Sequence, residues 1–445
     1  MQYIAQIAFL LVLGTAGFLL FKRISRISKN IRLGKDVDRS DNKSERIKTM
    51  LMVAFGQKKM FKRFIPAILH LFIYLGFILI NIEVLEIIID GITGQHRIFA
   101  PLLGTSLYGM LINFFELLAV LVLFACVVFL IRRNVLRVPR FTKPEMKGWP
   151  AMDGNLILII ESVLMLAILS MNAADQILQA RGVAHYAQTG DLYFSGFLIP
   201  LFQGIESNET LVFIERAAWW FHIIGILAFA VYVTYSKHLH IFLAFPNTFY
   251  SNLMAKGKMT NMPEVTNEVK IMLGMADANA APPAEIGRFG AKDINDLSWK
   301  NLMDAYSCTE CGRCTSECPA NLTGKKLSPR KIMMDTRDRM EEVGKSLDKG
   351  GKGLEDGKTL FGDYITAEEV YACTSCNACV EACPVNIDPL SIILQMRRYT
   401  AMEEASSPAS WNSMFSNVET NFAPWKFPAS DRFQWADQLK DEQKG

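Results

Sequence analysis

The chain has 445 residues, enough for two or three domains, and 51% of them are apolar. That fraction is high for a soluble protein, and a formal net charge of only +3 says little for a nucleic-acid partner. The excess is uneven: long apolar runs alternate with charged loops up to about residue 245, and a polar, helix-rich sequence follows.

Five runs in the first part are long enough to cross a bilayer, which takes ~20 helical residues. They are Tyr3–Phe21, Phe64–Ile89, Leu107–Ile131, Leu156–Ile177 and Val212–Tyr235. The first has its positive charges after the apolar stretch, so it reads as a retained anchor, not a cleaved signal. The segment Lys22–Arg63 carries 14 Lys and Arg and Arg132–Lys147 carries six, whereas the other two loops have one each, Arg97 and Arg181. Basic loops stay on the cytoplasmic side. The expectation is therefore a multi-pass protein of a prokaryotic cytoplasmic membrane, with its N-terminus outside and everything after the fifth run inside. Trp149, Trp219 and Trp220 fall near expected interfaces, where indoles anchor well.

Histidine within a spanning helix usually marks a cofactor or a proton path. His96 and His185 fall in outer loops and read as solvated. His70 lies seven residues past Arg63, ~10 Å in from the inner end, and His238 and His240 follow the fifth run, also toward the inside. Two imidazoles at one depth on neighbouring helices suit a b-type haem, with His70 as one ligand. If the fifth helix continues, His222 and His240 are five turns apart on one face and His238 points ~160° away, which favours His240. His238 is left to a propionate or the interface, and His222 has no evident partner, which favours one haem over two. Glu83, Glu86 and Asp90 share one face of the second run, with Glu116 in the third and Glu161 in the fourth. Carboxyls there cost several kcal/mol unless something solvates them. Glu86, Glu116 and Glu161 are candidates for a quinone pocket or proton route, or for plain interhelical hydrogen bonds.

Ala276–Gly290, with two adjacent prolines, reads as a linker. Beyond it, eight of the nine cysteines form two copies of one spacing: Cys308, Cys311, Cys314, Cys318-Pro319 and Cys373, Cys376, Cys379, Cys383-Pro384. The run C-x2-C-x2-C-x3-C-P folds thiolates around a cubane 4Fe–4S cluster, and in paired copies the fourth cysteine ligates the other cluster. Cluster 1 then takes Cys308, Cys311, Cys314 and Cys383; cluster 2 takes Cys373, Cys376, Cys379 and Cys318. Structural zinc prefers two C-x2-C knuckles across a longer loop, and disulfides require an oxidising compartment. Cys126, inside an apolar run, reads as a buried small hydrophobe. Helical runs over Pro329–Glu342 and Ala367–Glu381 flank the motifs and favour an α-helical ferredoxin type. Lys325, Lys326, Arg330 and Lys331 read as a basic turn, and Gly344–Thr359 as a mobile surface insert. Its Gly-Lys-Thr lacks the first glycine of a phosphate loop.

The segments GQKKMFKRFIPAILH and YSKHLHIFLAFPNTF resemble the gamma-type cytochrome b subunit of respiratory nitrate reductases, and more closely the membrane iron–sulfur reductases related to heterodisulfide reductase. The segments SWKNLMDAYSCTECGRCTSECPA, TGKKLSPRKI and ETNFAPWKFPASDRFQWADQL are similar to the small iron–sulfur subunit of heterodisulfide reductase. The resemblance implies an all-α protein: a five-helix haem b bundle over 1–245, a linker and entry helices over 246–295, a two-cluster ferredoxin domain over 296–400, and a partner-contacting extension over 401–445. Where the nitrate reductase subunit has a second histidine on its second helix, this chain has Ile80, so one haem is expected and a second is in doubt. No Cys-Cys pair occurs, so the resemblance implies that a Cys-Cys-Gly-type iron–sulfur or flavoprotein subunit supplies the catalytic module. The implied role is electron transfer between that partner, or electron-transfer flavoprotein, and menaquinone or ubiquinone. Quinol-driven disulfide reduction and a membrane-tethered redox sensor are the alternatives.

Overall fold

The computed structural model describes residues 3–275 and 287–442, so the expected linker lies largely outside the described residues. The chain is helical almost throughout, and among the described residues the β-structure is two isolated bridges. Among the described residues, five helices are long and apolar enough to span a membrane: Ile4–Ile31, Phe64–Thr93, Thr105–Asn134, Trp149–Ala180 and Asn208–Val233. Local chemistry sets their ends. Pro66 sits in the first turn of the second span, where no backbone donor is lost, and left-handed Gly94 closes it. The Ser207 hydroxyl caps the fifth span by accepting from the Thr210 amide at 3.2 Å.

The fifth span stops at Val233, and a separate helix, His240–Phe249, follows a short 3-10 turn. The continuous helix assumed for the phase of His222 and His240 is therefore not there. Buried Asp153 of the fourth span causes the break. Its carboxylate accepts from the Ser236 hydroxyl at 2.7 Å and the Lys237 amide at 3.1 Å, drawing that amide out of the helical ladder.

The cysteine half packs around Trp299–Ser307, Pro329–Asp348 and Pro389–Met402, whose shared core includes Leu302, Ile332, Met340 and Ile392. It sits on the end of the bundle that carries loops 32–63 and 135–148. The first span runs past its apolar stretch to reach it. Arg23 donates to both Glu341 oxygens at 3.1 and 2.7 Å, Arg26 pairs with Asp348, and Asn30 donates to the Tyr306 hydroxyl at 2.8 Å. Fully buried Arg330 donates to the Arg140 carbonyl and to Glu145, each at 2.6 Å, so this residue of the expected basic turn is a joint between halves. Removing one partner of such a buried pair costs ~3–5 kcal/mol. The insert after Gly344 is also anchored: buried Arg339 holds Asp356 and the Lys358 carbonyl.

Candidate redox site

The two cysteine motifs fold as copies of one loop. Two positions after the first cysteine of each, Glu310 (φ 54°) and Ser375 (φ 56°) are left-handed; two further on, so are Gly312 (φ 71°) and Asn377 (φ 61°). Glycine and asparagine tolerate that region best, and this correspondence was readable in TECGRC and TSCNAC. The second loop breaks the helix expected over Ala367–Glu381 into Ala367–Tyr371 and Ala378–Ala382.

One cavity is lined by Cys308, Cys311, Cys314 and Cys383. Cys318 lies close enough to Cys373 and Cys379 for its charge to bear on both. Backbone amides donate to sulfur, Ser375 to Cys373 at 3.4 Å and Ile387 to Cys383 at 3.3 Å. Arg397 grips the second loop through the carbonyls of Cys373, Val370 and Tyr371. Burial pushes the Cys308 thiol up to about 12 and Cys383 up to about 11, so without a metal both keep their protons at neutral pH. Among the described residues no three Cys, His, Asp or Glu side chains are grouped to hold a single metal ion. Zinc would need its sulfurs ~3.8 Å apart, given Zn–S bonds of ~2.3 Å. A cubane is held at its corners, one thiolate per iron, and the four cysteines lining this cavity supply that number.

At the inner end of the bundle, His70 and His240 face each other with ring centres 6.4 Å apart. Two imidazoles bonded to opposite sides of one metal, with metal–nitrogen bonds of ~2.0 Å, put their ring centres ~6.3 Å apart. Each Nδ1 has an acceptor, Gln57 Oε1 at 3.1 Å for His70 and the Lys237 carbonyl at 3.2 Å for His240, which leaves each Nε2 free. Such bonds fix tautomer and ring orientation in metal sites. Burial, with His238 and His70 nearby, pushes His240 well below the usual imidazole range, toward the neutral form a metal needs. The pair therefore fits a haem iron. His238 lies edge-on beside His240, ring centres 5.3 Å apart, with its Nε2 3.4 Å from Glu161 and its ring also against Phe229. His222 is buried and bonded through Nδ1 to the Leu164 carbonyl at 3.0 Å, away from this group.

The remaining acids are spread along the bundle. Glu86 accepts from the Tyr108 hydroxyl and the Phe99 amide, both at 2.8 Å. Glu116 accepts from Asn172 at 3.0 Å and from the Phe194 and Ser195 amides at 3.1 Å. Glu161 lies by His238 and by buried Cys126, whose Sγ is 3.3 Å away. The loop residue Arg97 is buried and bonds Asp175 at 2.6 Å and Asn172 at 2.9 Å. The His96 side chain, read as solvated, is only 7% exposed and lies 3.7 Å from Asp175, drawn in with its neighbour. Trp219 is likewise buried, packed against Phe9. Residues missed from sequence are Gln57, Lys237 and Glu310, which pattern alone does not distinguish from other loop polars.

Residues 307–387 match the family model described as a 4Fe-4S dicluster domain. The chain is a homologue of iron–sulfur oxidoreductases. It is 28% identical to a probable iron-sulfur-binding oxidoreductase, FadF, of Bacillus subtilis, over 97% of this chain and 61% of that protein. It is 26% identical to the EtfAB:quinone oxidoreductase of Syntrophomonas wolfei, over 91% of this chain and 55% of that protein. A component of the ferredoxin/F(420)H(2)-dependent CoB-CoM heterodisulfide reductase of Methanosarcina acetivorans is 31% identical over 24% of this chain and 52% of its own length. The chain thus spans little more than half of each of these relatives. No solved structure matches.

Proposed function

We propose that this chain is a membrane electron-transfer component that carries electrons from a soluble flavoprotein or dehydrogenase to the quinone pool, menaquinone or ubiquinone. Cys308, Cys311, Cys314 and Cys383 would hold one 4Fe–4S cluster, and Cys373, Cys376, Cys379 and Cys318 the other. His70 and His240 would hold haem b. When bound, these groups supply one-electron transfer at potentials that hydrogen bonds and burial tune. The chain's own residues orient and shield them: Gln57 and the Lys237 carbonyl aim the imidazoles, and the Ser375 and Ile387 amides polarise sulfur. The basic loops and the cysteine half lie at the same end of the bundle, which favours a cytoplasmic cysteine domain. The tail over 401–445, with exposed Phe415, Phe422, Trp425 and Trp435, suits a partner such as a Cys-Cys-Gly-type subunit or electron-transfer flavoprotein.

The observation that carries this reading is the convergence of a four-cysteine cavity and a facing imidazole pair at one end of five apolar helices. The name of the Syntrophomonas relative favours a quinone and an electron-transferring flavoprotein at the two ends. The heterodisulfide reductase likeness favours a second reading, quinol-driven disulfide reduction. Anaerobic purification with optical and EPR counting tests the cofactors: about eight irons in two cubanes and one b-type haem per chain are expected. His70→Ala should abolish the b band, and an unchanged band removes His70 as a ligand. Reduction of haem and clusters by a soluble flavoprotein, followed by reoxidation on adding menaquinone, supports quinone reduction. Reoxidation by a disulfide alone supports the second reading.

A further inference from the structure

The two cysteine sets differ in what surrounds them. The loop of Cys308, Cys311 and Cys314 is pinned to both arms that hold the imidazole pair. On one arm, Glu310 pairs with Lys237, whose carbonyl accepts from His240 Nδ1. On the other, Arg313 donates to the carbonyls of Lys59 at 3.3 Å and Met60 at 3.4 Å, just past Gln57, the partner of His70. Gly312 lies so near the loop between the third and fourth spans that a Cβ there would be 3.3 Å from that of Arg140.

The second loop faces the other way. Cys376 is exposed, Arg397 holds the loop from within the cysteine half, and Tyr371 packs edge-on against Trp411 of the tail, ring centres 5.2 Å apart. Among the described residues, the far end of its following helix is what bonds the membrane half, through Val380 to Lys59 and Glu381 to Lys62. That end leads into Cys383, which lines the first cavity.

We propose that the two sets work in series: the set around Cys376 exchanges electrons with the soluble flavoprotein, and the set around Cys311 with the imidazole pair. Lys237 and Glu310 are the positioning pair that holds the first loop against the backbone carbonyl bonded to the His240 imidazole. Each transfer moves one electron from reduced flavin toward quinone, oxidising one site as the next is reduced, with no bond made and no proton moved between the sets. This ordering rests on the electron-transfer reading above.

The full chain in vesicles containing long-chain menaquinone, reduced by light-excited deazaflavin, provides the test, with each iron–sulfur signal followed by freeze-quench EPR during reoxidation. Cys376→Ser should leave the cluster of the other set reoxidising within about twofold of the unaltered rate, whereas Cys311→Ser should slow the remaining cluster at least tenfold. The opposite pattern, or equal rates in both variants, overturns the order. If Cys311→Ser does not fold, Glu310→Gln keeps the test alive: it should slow cluster reoxidation at least tenfold while the b band reoxidises normally, and unaltered cluster reoxidation overturns the proposal. A preparation with both clusters but no b band sinks the haem reading, while the order is still read from which variant strands its iron.

Discussion

Gly344 offers a sharp test of how the two halves are joined. A Cβ at this position on the Pro329–Asp348 helix would lie 2.6 Å from Asn30 Cγ and 2.7 Å from Asn30 Nδ2 on the first span. Asn30 is 3% exposed, so it has little room to retreat, and any retreat breaks its 2.8 Å bond to the Tyr306 hydroxyl. Gly344→Ala therefore combines overpacking, ~1–3 kcal/mol, with a lost hydrogen bond, ~1 kcal/mol. Alanine's better helix propensity returns ~1 kcal/mol. The net cost is ~1–3 kcal/mol, a roughly 5- to 150-fold shift in the docking equilibrium. Hydrogen exchange on the detergent-solubilised chain should show that loss of protection in the amides of Pro329–Asp348. Adding Asn30→Ala, which empties the space, should restore part of it. Protection that rises in Gly344→Ala would mean propensity outweighs the clash, and the tight joint drawn here would be wrong.

Two other expectations concern cofactor retention and pH. Gln57→Leu removes the acceptor of His70 Nδ1 and should weaken haem retention ~10- to 100-fold, as outer-shell losses do in metal sites; retention equal to the unaltered chain in a haem-transfer assay would contradict that role. Burial raises the thiols of Cys308 to about 12 and Cys383 to about 11, above the ~8.5 of a free cysteine. The metal-free fold gains from keeping both protonated, so that stability is complete below ~8.5 and lost as pH climbs through about 11 to 12. Iron-loaded thiolates have already shed their protons, so alkaline melting should destabilise the metal-free chain and spare the loaded one.

Spacing made the five spans and the duplicated cysteine motif legible, because hydrophobic length and ligand intervals are local properties. His70 was legible for the same reason: an imidazole inside an apolar helix stands out. His240 was picked by a helical phase that does not exist, since Asp153, more than 80 residues upstream, takes the Lys237 amide and breaks the helix. The imidazole faces His70 because the chain restarts there in a new direction. A tertiary hydrogen bond of that kind leaves no trace in periodicity. His96 and Arg330 misled for a related reason. Their charge suggested solvent, but Asp175 and Glu145 pair with them in the interior.

The intramembrane acids separate by their hydrogen bonds. Both oxygens of Glu116 are taken, one by Asn172 and the other by the adjacent amides of Phe194 and Ser195, so this carboxylate clamps the segment after the fourth span to the third. Glu116→Leu strands three donors in an apolar setting at ~1–3 kcal/mol each. That is enough to unseat residues 193–196, and protease cleavage there should rise sharply with the b band unchanged. Glu161 differs because its neighbours are side chains, His238 with Nε2 3.4 Å away and the Cys126 thiol at 3.3 Å, and His238 packs edge-on against His240 at 5.3 Å. Glu161→Gln removes a negative charge from beside the imidazole group, which makes an added electron easier to hold. The midpoint potential of the haem proposed there should rise while protease resistance stays intact. If Glu116→Leu shifts the potential and Glu161→Gln does not, the division between a clamping carboxyl and one beside the imidazole group is wrong.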